Sequence, residues 1–562
     1  MKNDKFIKMI GNVKIDYSKY PGRDLYSDGN VENILLEACK AENENKLLRN
    51  SDSWPILYHL SDIRENLVEW LPISDKMDVL EIGSGCGGIT SILSKKAGNV
   101  TCVELSEKRS LINAYRNKEK DNIEILLGNF QSVEPELGKY DVITLIGVLE
   151  YAKMYIKSAN PFLEMIKTVR KHIKHNGILV IAIENKMGIK YWNGASEDHT
   201  GKMYSGLNDY TNKENVRTFS KNELEGMLQK SGFKKNMFYY PLPDYKLPSV
   251  TYSDRCKPLV GRVRTYKKVY SSPRFYNFME DVVSDQLCYD NKFDYMANSF
   301  LTISQLMENT VDVLFSKYNR ERKEQFRIAT YIVENADKKI VEKLALNESS
   351  KAHIMSMKEN EKKWEGTLHN VKTVHGEVIE NKYVSDYING KCLDEFLYEC
   401  RLNEKQFVET VKKYLNDVLT PDKQSLKPFY ITDNYIKIFG SNYIEGEMCS
   451  PVTNIDTIFS NLKVNKGNIY AFDFEWVFDF PIPYKYVLWR AATDAYYQYY
   501  AYLKNLIAYQ RYEHELGFSD KEVNVYSSME KNFGFYVCGN QRNEEYLKNY
   551  QKNVIMQESR FC

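Results

Sequence analysis

No run of about 18 apolar residues occurs anywhere in this chain of 562 residues, so the sequence carries no membrane-spanning helix. The opening Met1-Lys-Asn-Asp-Lys5 has no apolar core of the kind an export signal needs. Neither secretion nor a membrane span is expected, and the cytoplasm is the expected setting, with peripheral membrane association left open. The ten cysteines include no Cys-x-x-Cys pair, which argues against zinc sites and a disulfide framework and fits a reducing compartment. Charge of one sign is lacking as well. Lys and Arg number 77 against 76 Asp and Glu, interspersed, which disfavours an electrostatically driven nucleic-acid partner. No internal repeat or low-complexity tract is found. What is abundant is aromatic: 43 Tyr and 25 Phe, a composition that suits sugar-facing surfaces without specifying one. The length predicts two to four domains.

The most informative segment is Val79-Leu-Glu-Ile-Gly-Ser-Gly-Cys-Gly-Gly88, an apolar strand that ends in a loop with glycine at Gly83, Gly85, Gly87 and Gly88. Glycines let the chain turn sharply and let a ligand touch bare backbone, while the helix that follows offers free N–H groups. The next strand, Asn99-Val-Thr-Cys-Val-Glu104, ends in an acid about 20 residues after the glycines, where a ribose diol needs a carboxylate acceptor. An adenosine ligand is favoured. The segment resembles the first motif of class I S-adenosylmethionine (SAM) methyltransferases, an acidic residue followed by G-x-G-x-G, here Glu81, Gly83, Gly85 and Gly87. The G-x-G-x-x-G of redox dinucleotide enzymes fits less well, being met only through the extra Gly87.

The resemblance extends from Asn122 to Lys186. Asn122 to Asn129 is similar to the strand whose terminal acid reads the adenine amino group; Asn129 stands there, and its amide oxygen can still accept that hydrogen bond. Tyr140 to Tyr151 is an apolar run typical of a parallel strand buried on both faces, and Gly177 to Asn185 is a fifth strand ending in polar groups. The resemblance implies a Rossmann-like seven-stranded α/β domain that contacts SAM through Glu81, Gly83, Ser84, Gly85, Gly87, Glu104, Leu105, Asn129 and Phe130.

Residues 185–201 are polar and glycine-rich and read as a substrate loop at the active face. In Glu184-Asn185-Lys186 and Glu197-Asp198-His199 this stretch resembles methyltransferases encoded among bacterial surface-polysaccharide genes. An anionic acceptor needs no general base, whereas a sugar hydroxyl does. His199 is the leading candidate for that role, with Glu184, Glu150 and Asp198 as rivals. Trp54 to Leu71 has apolar residues at helical spacing, and Ser220-Lys-Asn-Glu223 has capping-box form. Phe233 to Pro243 is expected to supply the closing strands, ending the domain near residue 250.

A second constellation lies late in the chain. Asp456 stands five residues before Asn461; then come an apolar strand, a turn at Gly467 and a strand leading to Asp473. That is the arrangement of a phosphotransferase catalytic loop and its metal-binding aspartate. Asp456 would orient an acceptor hydroxyl, and Asn461 and Asp473 would hold Mg2+. Lys343, after a valine in the alternating strand from Lys339, would contact the ATP phosphates, with Glu359 or Glu361 as its partner. Tyr383 to Leu397 has the form of a hinge leading to a helix. The region resembles the protein-kinase-like fold, an α+β domain. It departs from that pattern in lacking both a G-x-G-x-x-G loop over 311–331 and a His-Arg before Asp456, which leaves a pseudokinase as an alternative.

The chain thus divides into an N-terminal extension (1–50), a methyltransferase domain (51–250), a helical connector (251–310), a kinase-like domain (311–545) and a C-terminal tail (546–562). That order resembles the chain-terminating methyltransferase-kinases of bacterial O-antigen synthesis, without their C-terminal coiled coil. The resemblance implies SAM, with ATP and Mg2+, as cofactors. It also implies a glycan or glycolipid-linked acceptor, with other polysaccharide-synthesis enzymes as partners. A small-molecule methyltransferase with a docking pseudokinase, and a non-catalytic scaffold, are the alternatives.

Overall fold

The computed structural model of the protein describes residues 6–24, 26–27, 29–211, 214–263, 274–307, 312–335, 338–539 and 556–558. Most of the tail expected at 546–562, together with Val311, lies outside them.

Strand and helix patterns alternate from residue 78 onward, and they build a parallel sheet. In chain order the strands are β1 (Ile7–Ile10), β2 (Val13–Lys19), β3 (Asp78–Ile82), β4 (Asn99–Glu104), β5 (Ile123–Gly128), β6 (Tyr140–Ile146), β7 (Ile173–Glu184), β8 (Lys235–Leu242) and β9 (Val250–Ser253). They continue with β10 (Arg274–Tyr276), β11 (Ser299–Gln305), β12 (Val313–Tyr318), β13 (Ile328–Asn335), β14 (Lys338–Ala345), β15 (Val371–Thr373), β16 (Gly376–Ile379) and β17 (Lys382–Asp386). One sheet takes the order β1-β2-β5-β4-β3-β6-β7-β11-β8-β9-β12-β13-β14-β17-β16. From β2 to β7 every pairing is parallel, whereas β11 runs antiparallel between β7 and β8. The order β5-β4-β3-β6-β7-β11-β8 has its topological switch point between β3 and β6, where α/β sheets hold ligands outside the carboxyl ends of the strands.

β3, β6 and β7 read as near-continuous apolar runs because both faces are covered; Leu80, Ile143, Val180 and Ile181 are wholly buried. The helix after β6 spans Pro161–Arg170. The capping box forms as expected, with the Ser220 hydroxyl and the Glu223 carboxylate each accepting from the other's backbone N–H. The helical pattern from Trp54 instead splits into Trp54–Leu60 and a tighter turn at Asp62–Leu67, because the Ser61 side chain accepts from Ile63 N and starts a new segment.

Two domain limits are corrected. The sheet does not close near residue 250: its seventh strand, β11, comes from the stretch read as a connector. The stretch read as an extension adds β1 and β2 beyond β5. β9 then carries the sheet into β12 through Thr251 opposite Ser316 and Val250 opposite Lys317. Residues 313–539 therefore begin as antiparallel strands of the same sheet, with the helix Lys351–Trp364 inserted before β15. A second, mainly helical core follows, in which the helix Tyr484–Gln498 buries Tyr486, Trp489 and Tyr496.

Candidate active site

At the end of β3 the chain turns through Gly83 at φ +76°, where a Cβ would lie 2.5 Å from Val148 Cγ2. Gly87, at φ +77°, would place one 2.3 Å from Asn113 Oδ1. Only glycine fits either position. Across the turn, the carboxylate at the end of β4 is fixed by backbone donors: Gly85 N–H donates to Glu104 Oε2 at 2.7 Å, and Leu105 and Ser106 N–H donate to Oε1 at 2.9 and 3.0 Å. Burial holds this carboxyl above its ordinary range, opposed by Arg109 and those donors.

Gly83, Glu104, Leu105, Asn129 and Phe130 line a cavity of about 380 Å3 at the switch point. Glu81, on β3, and Ser84, Gly85 and Gly87, in the loop after it, read as cofactor contacts, do not themselves line it. Glu81 accepts from Thr90 Oγ1 at 2.6 Å, and burial pushes its carboxyl up to about 7. Tyr26, in the N-terminal segment, also lines the cavity. Asp24 accepts from Glu107 N at 2.6 Å and Ser106 Oγ at 2.9 Å, and Tyr26 covers the Arg109 guanidinium at 4.3 Å. Tyr58, beside it on the helix Trp54–Leu60, is covered by Arg64 at 3.9 Å. A cleft with a fixed diol-accepting carboxylate, a glycine that admits close approach and aromatic walls fits the adenosine end of SAM.

The other half of the cavity is polar. Glu150 follows β6, His199 comes from the 185–201 loop and Lys246 from the segment after β8; Glu184, at the end of β7, is fully buried behind them and is not part of the lining. His199 Nε2 lies 3.2 Å from Glu184 Oε2 and 3.8 Å from Glu150 Oε1, while its Nδ1 meets the Tyr151 hydroxyl at 3.1 Å. Lys246 Nζ pairs with Glu184 Oε1 and reaches Asp198 Oδ1 at 3.2 Å. Asp198 is also held by Lys190 at 2.8 Å and by the Tyr191 hydroxyl at 2.5 Å. Burial opposes charge on His199, but Glu184 and Glu150 outweigh it and hold the imidazole at about 9. Burial raises Glu150 to about 7, whereas at Glu184 the neighbouring Lys246 and His199 outweigh burial and keep the carboxyl below its usual range.

The expected loop histidine is in place, with both ring nitrogens engaged. Among the described residues, neither oxygen of Glu150 has a hydrogen-bond partner, although the side chain is fully buried. Tyr151 and Lys246 carry no role in the sequence reading. Lys246 in particular has no sequence signal, since it reaches Glu184 across 62 residues.

A second polar cluster joins residues expected to act together in the C-terminal unit. Lys343 on β14 pairs with Asp473 Oδ1 at 2.6 Å. Asn461 Nδ2 donates to the Asp456 carbonyl at 2.9 Å, and Asp456 Oδ1 pairs with Arg490 at 2.6 Å. Burial raises the Asp456 carboxyl; Arg490 opposes this, and Asp473 and Glu475 add to it. The partner expected for Lys343 is corrected: Glu359 faces Lys362 at 3.6 Å, while Glu361 accepts from Gly376 N at 2.9 Å and from Tyr383. Lys343 instead has Glu475 as its second neighbour, at 3.9 Å. Glu475 accepts from Arg322, on the β12–β13 turn, and meets His353 at 2.9 Å.

Residues 57–236 match the family model described as a methyltransferase domain. Among curated proteins the chain is similar to ribosomal RNA small subunit methyltransferase A of Syntrophus aciditrophicus (strain SB), at 29% identity over 123 residues, 21% of this chain and 41% of that protein. It is also similar to the probable ribosomal RNA small subunit methyltransferase A of Thermococcus gammatolerans, at 40% identity over 79 residues, 14% of this chain and 28% of that protein. The chain spans 28–53% of the length of the curated relatives it matches. Among solved structures, an O-methyltransferase family 2 protein from Planctomyces limnophilus in complex with apigenin is 14% identical, with a TM-score of 0.27 over 50% of this chain and 63% of that one. The N-terminal part of the chain is a class I SAM-dependent methyltransferase domain.

Proposed function

We propose that this chain transfers a methyl group from SAM to a glycan or phosphoglycan acceptor in bacterial cell-surface polysaccharide biosynthesis. The observation that carries the reading is the division of one cavity into a Glu104 half, shaped for adenosine, and a polar half at Glu150, His199 and Lys246, with Glu184 holding His199 from behind. When bound, SAM supplies an electrophilic methyl on a sulfonium. Glu104 and the Gly83 backbone would fix the ribose, and Tyr26, Tyr58 and the helix Trp54–Leu60 would shut out water. His199, oriented by Tyr151 and Glu184, would place the acceptor in line. Positioning and desolvation supply most of the rate in such a displacement. The glycan class rests on the resemblance in residues 184–199 and on the order of the two units, with a polar, aromatic-walled acceptor half in keeping with it.

Under the same proposal, residues 313–539 form a protein-kinase-like unit that phosphorylates the same acceptor. Lys343 would contact the phosphates of ATP, Asn461 and Asp473 would hold Mg2+, and Asp456 would orient the acceptor hydroxyl. The chain would work in the cytoplasm, peripherally against a lipid-linked intermediate; no helix among the described residues is long and apolar enough to cross a membrane. The pairing of Arg322 with Glu475, on the turn where a glycine-rich loop is absent, favours a second reading in which this unit only docks and a small molecule is methylated.

The test is calorimetry with SAM and with Mg-ATP on the wild type, Gly85→Arg and Asp473→Ala, followed by transfer of labelled methyl to a panel of glycans and phosphoglycans. SAM binding lost in Gly85→Arg and Mg-ATP binding lost in Asp473→Ala are expected. Absence of SAM binding by the wild type refutes the proposal; SAM binding without any nucleotide binding leaves the second reading.

A further inference from the structure

Glu150 presents an energetic problem. A carboxylate with no solvent exposure and no hydrogen bond to either oxygen carries a desolvation cost that native structures normally offset with a partner. A second fully buried carboxylate, Glu184, stands beside it. The surrounding shell adds Glu197, Asp198 and Asp244 against Lys190, Lys246 and the His199 imidazole, so carboxylates outnumber cations among the described residues around this half of the cavity. An acceptor phosphate placed there would meet two carboxylates.

We propose that Glu150 Oε1, Glu184 Oε2 and His199 Nε2 bind a divalent first-row metal ion, Mn2+ or Zn2+. One donor atom from each of the three lies within 4.8 Å of the others. The spacings of 3.2 Å from Nε2 to Glu184 and 3.8 Å from Nε2 to Glu150 suit donors on one ion, since bonds of about 2.0–2.2 Å set adjacent donors roughly 3 Å apart or a little more. Two carboxylates and one imidazole are a donor set suited to these ions.

The supporting contacts are those a metal site needs. With Nε2 on the ion, Nδ1–H donates to the Tyr151 hydroxyl oxygen, which fixes the tautomer and the ring plane. Lys246 holds Glu184 through its other oxygen, Oε1, and leaves Oε2 free to face the ion. Glu150 and His199 line the cavity that Gly147 and Gly83 also line, so an ion held by them would border it. There an acceptor hydroxyl or phosphate oxygen could complete the coordination. A coordinated hydroxyl loses its proton more readily, and a coordinated phosphate is shielded from Glu150 and Glu184. This link to the acceptor rests on the methyl-transfer reading; the metal site itself does not.

The test titrates Mn2+ and Zn2+ into the full-length chain, following free Mn2+ by its EPR signal and both ions by calorimetry. The wild type, Asp473→Ala, Glu150→Gln and His199→Ala are compared, with SAM binding measured separately without metal. An equivalent that persists in Asp473→Ala is expected in the wild type, at least tenfold weaker in Glu150→Gln and His199→Ala, whatever ion the C-terminal unit binds besides. The isosteric Glu150→Gln keeps the chain folded, which circular dichroism checks. No bound ion in the wild type overturns the proposal. So does an equivalent lost in Asp473→Ala yet unchanged in Glu150→Gln, because the ion then belongs to the C-terminal unit. Metal binding without methyl transfer to any glycan counts against the acceptor reading alone.

Discussion

Replacing Glu104 by Gln tests the cofactor half with the least change in shape. The carboxylate accepts three backbone N–H groups, two on Oε1 and one, from Gly85, on Oε2. A glutamine amide keeps its oxygen toward Leu105 and Ser106 and must then turn its NH2 toward Gly85 N–H, donor against donor. Gly85 loses its tie to Glu104, though Gly83 keeps its bond to the Val103 carbonyl, and the ribose loses a charged acceptor. Hydrogen bonds to a charged group are worth about 1.5–3 kcal/mol, so SAM affinity should fall by about 2–3 kcal/mol, roughly thirty- to 150-fold. The loss of one loop tie should cost about 1 kcal/mol of folding stability. Calorimetry with SAM and with S-adenosylhomocysteine measures the first, and denaturant unfolding the second. Because both ligands share the ribose, both should weaken equally. A change of less than threefold for either, with stability lowered as expected, would refute the placement of the ribose on Glu104 and leave that residue as a loop anchor alone.

Three further outcomes follow from the packing. Gly83→Ala puts a methyl 2.5 Å from Val148 Cγ2 at positive φ, which should cost about 1–3 kcal/mol of stability and lower SAM affinity together, as read by thermal shift with and without SAM. Burial raises Glu81 from its ordinary 4.5 to about 7, so the stability linked to its proton is fully present below pH 4.5 and is lost as pH rises through 7. That loss amounts to about 3 kcal/mol; Glu81→Gln should escape it, and parallel stability profiles for the two proteins between pH 4.5 and 8 would contradict the assignment. Arg320 donates to Asn66 Oδ1 at 2.5 Å and pairs with Glu69 and, at 3.5 Å, with Glu65. Arg320→Met takes the guanidinium from Glu69 while Glu65 keeps Lys95 at 2.9 Å, which should cost about 3 kcal/mol of stability by chemical unfolding.

The cofactor half was legible because its signals are local. The glycine loop after β3, the acid closing β4 and the strand–helix alternation each lie within a few residues of what they build. The polar half was legible only in part: the 185–201 loop announced His199, but nothing in the sequence ranks Glu150 by its missing partners or brings Lys246 to Glu184. Those depend on pairings across tens of residues. The seventh strand escaped for the same reason. Ser299-Phe-Leu-Thr-Ile-Ser-Gln305 has a strand's composition, yet no local feature says that it slots between two strands formed far earlier. In the C-terminal unit the spacing of Asp456, Asn461 and Asp473 was readable, and Lys343 meets Asp473 across 130 residues. The switch of Lys343's second neighbour from the helix Lys351–Trp364 to Glu475 was not, because the register of that helix is set by tertiary packing.

The passage of one sheet through both units has a consequence for how the chain can be cut. A strand at a sheet's margin shows unpaired N–H and C=O groups to any chain that passes, and proteins cover such margins to avoid aggregation. Ending the protein at residue 250 would strip β11 from between β7 and β8 and leave two long apolar strands with open backbones. Starting it at residue 312 would expose β12 along the side that β9 covers. Each half caps the other's raw edge, so the two units fold, persist and are degraded as one body.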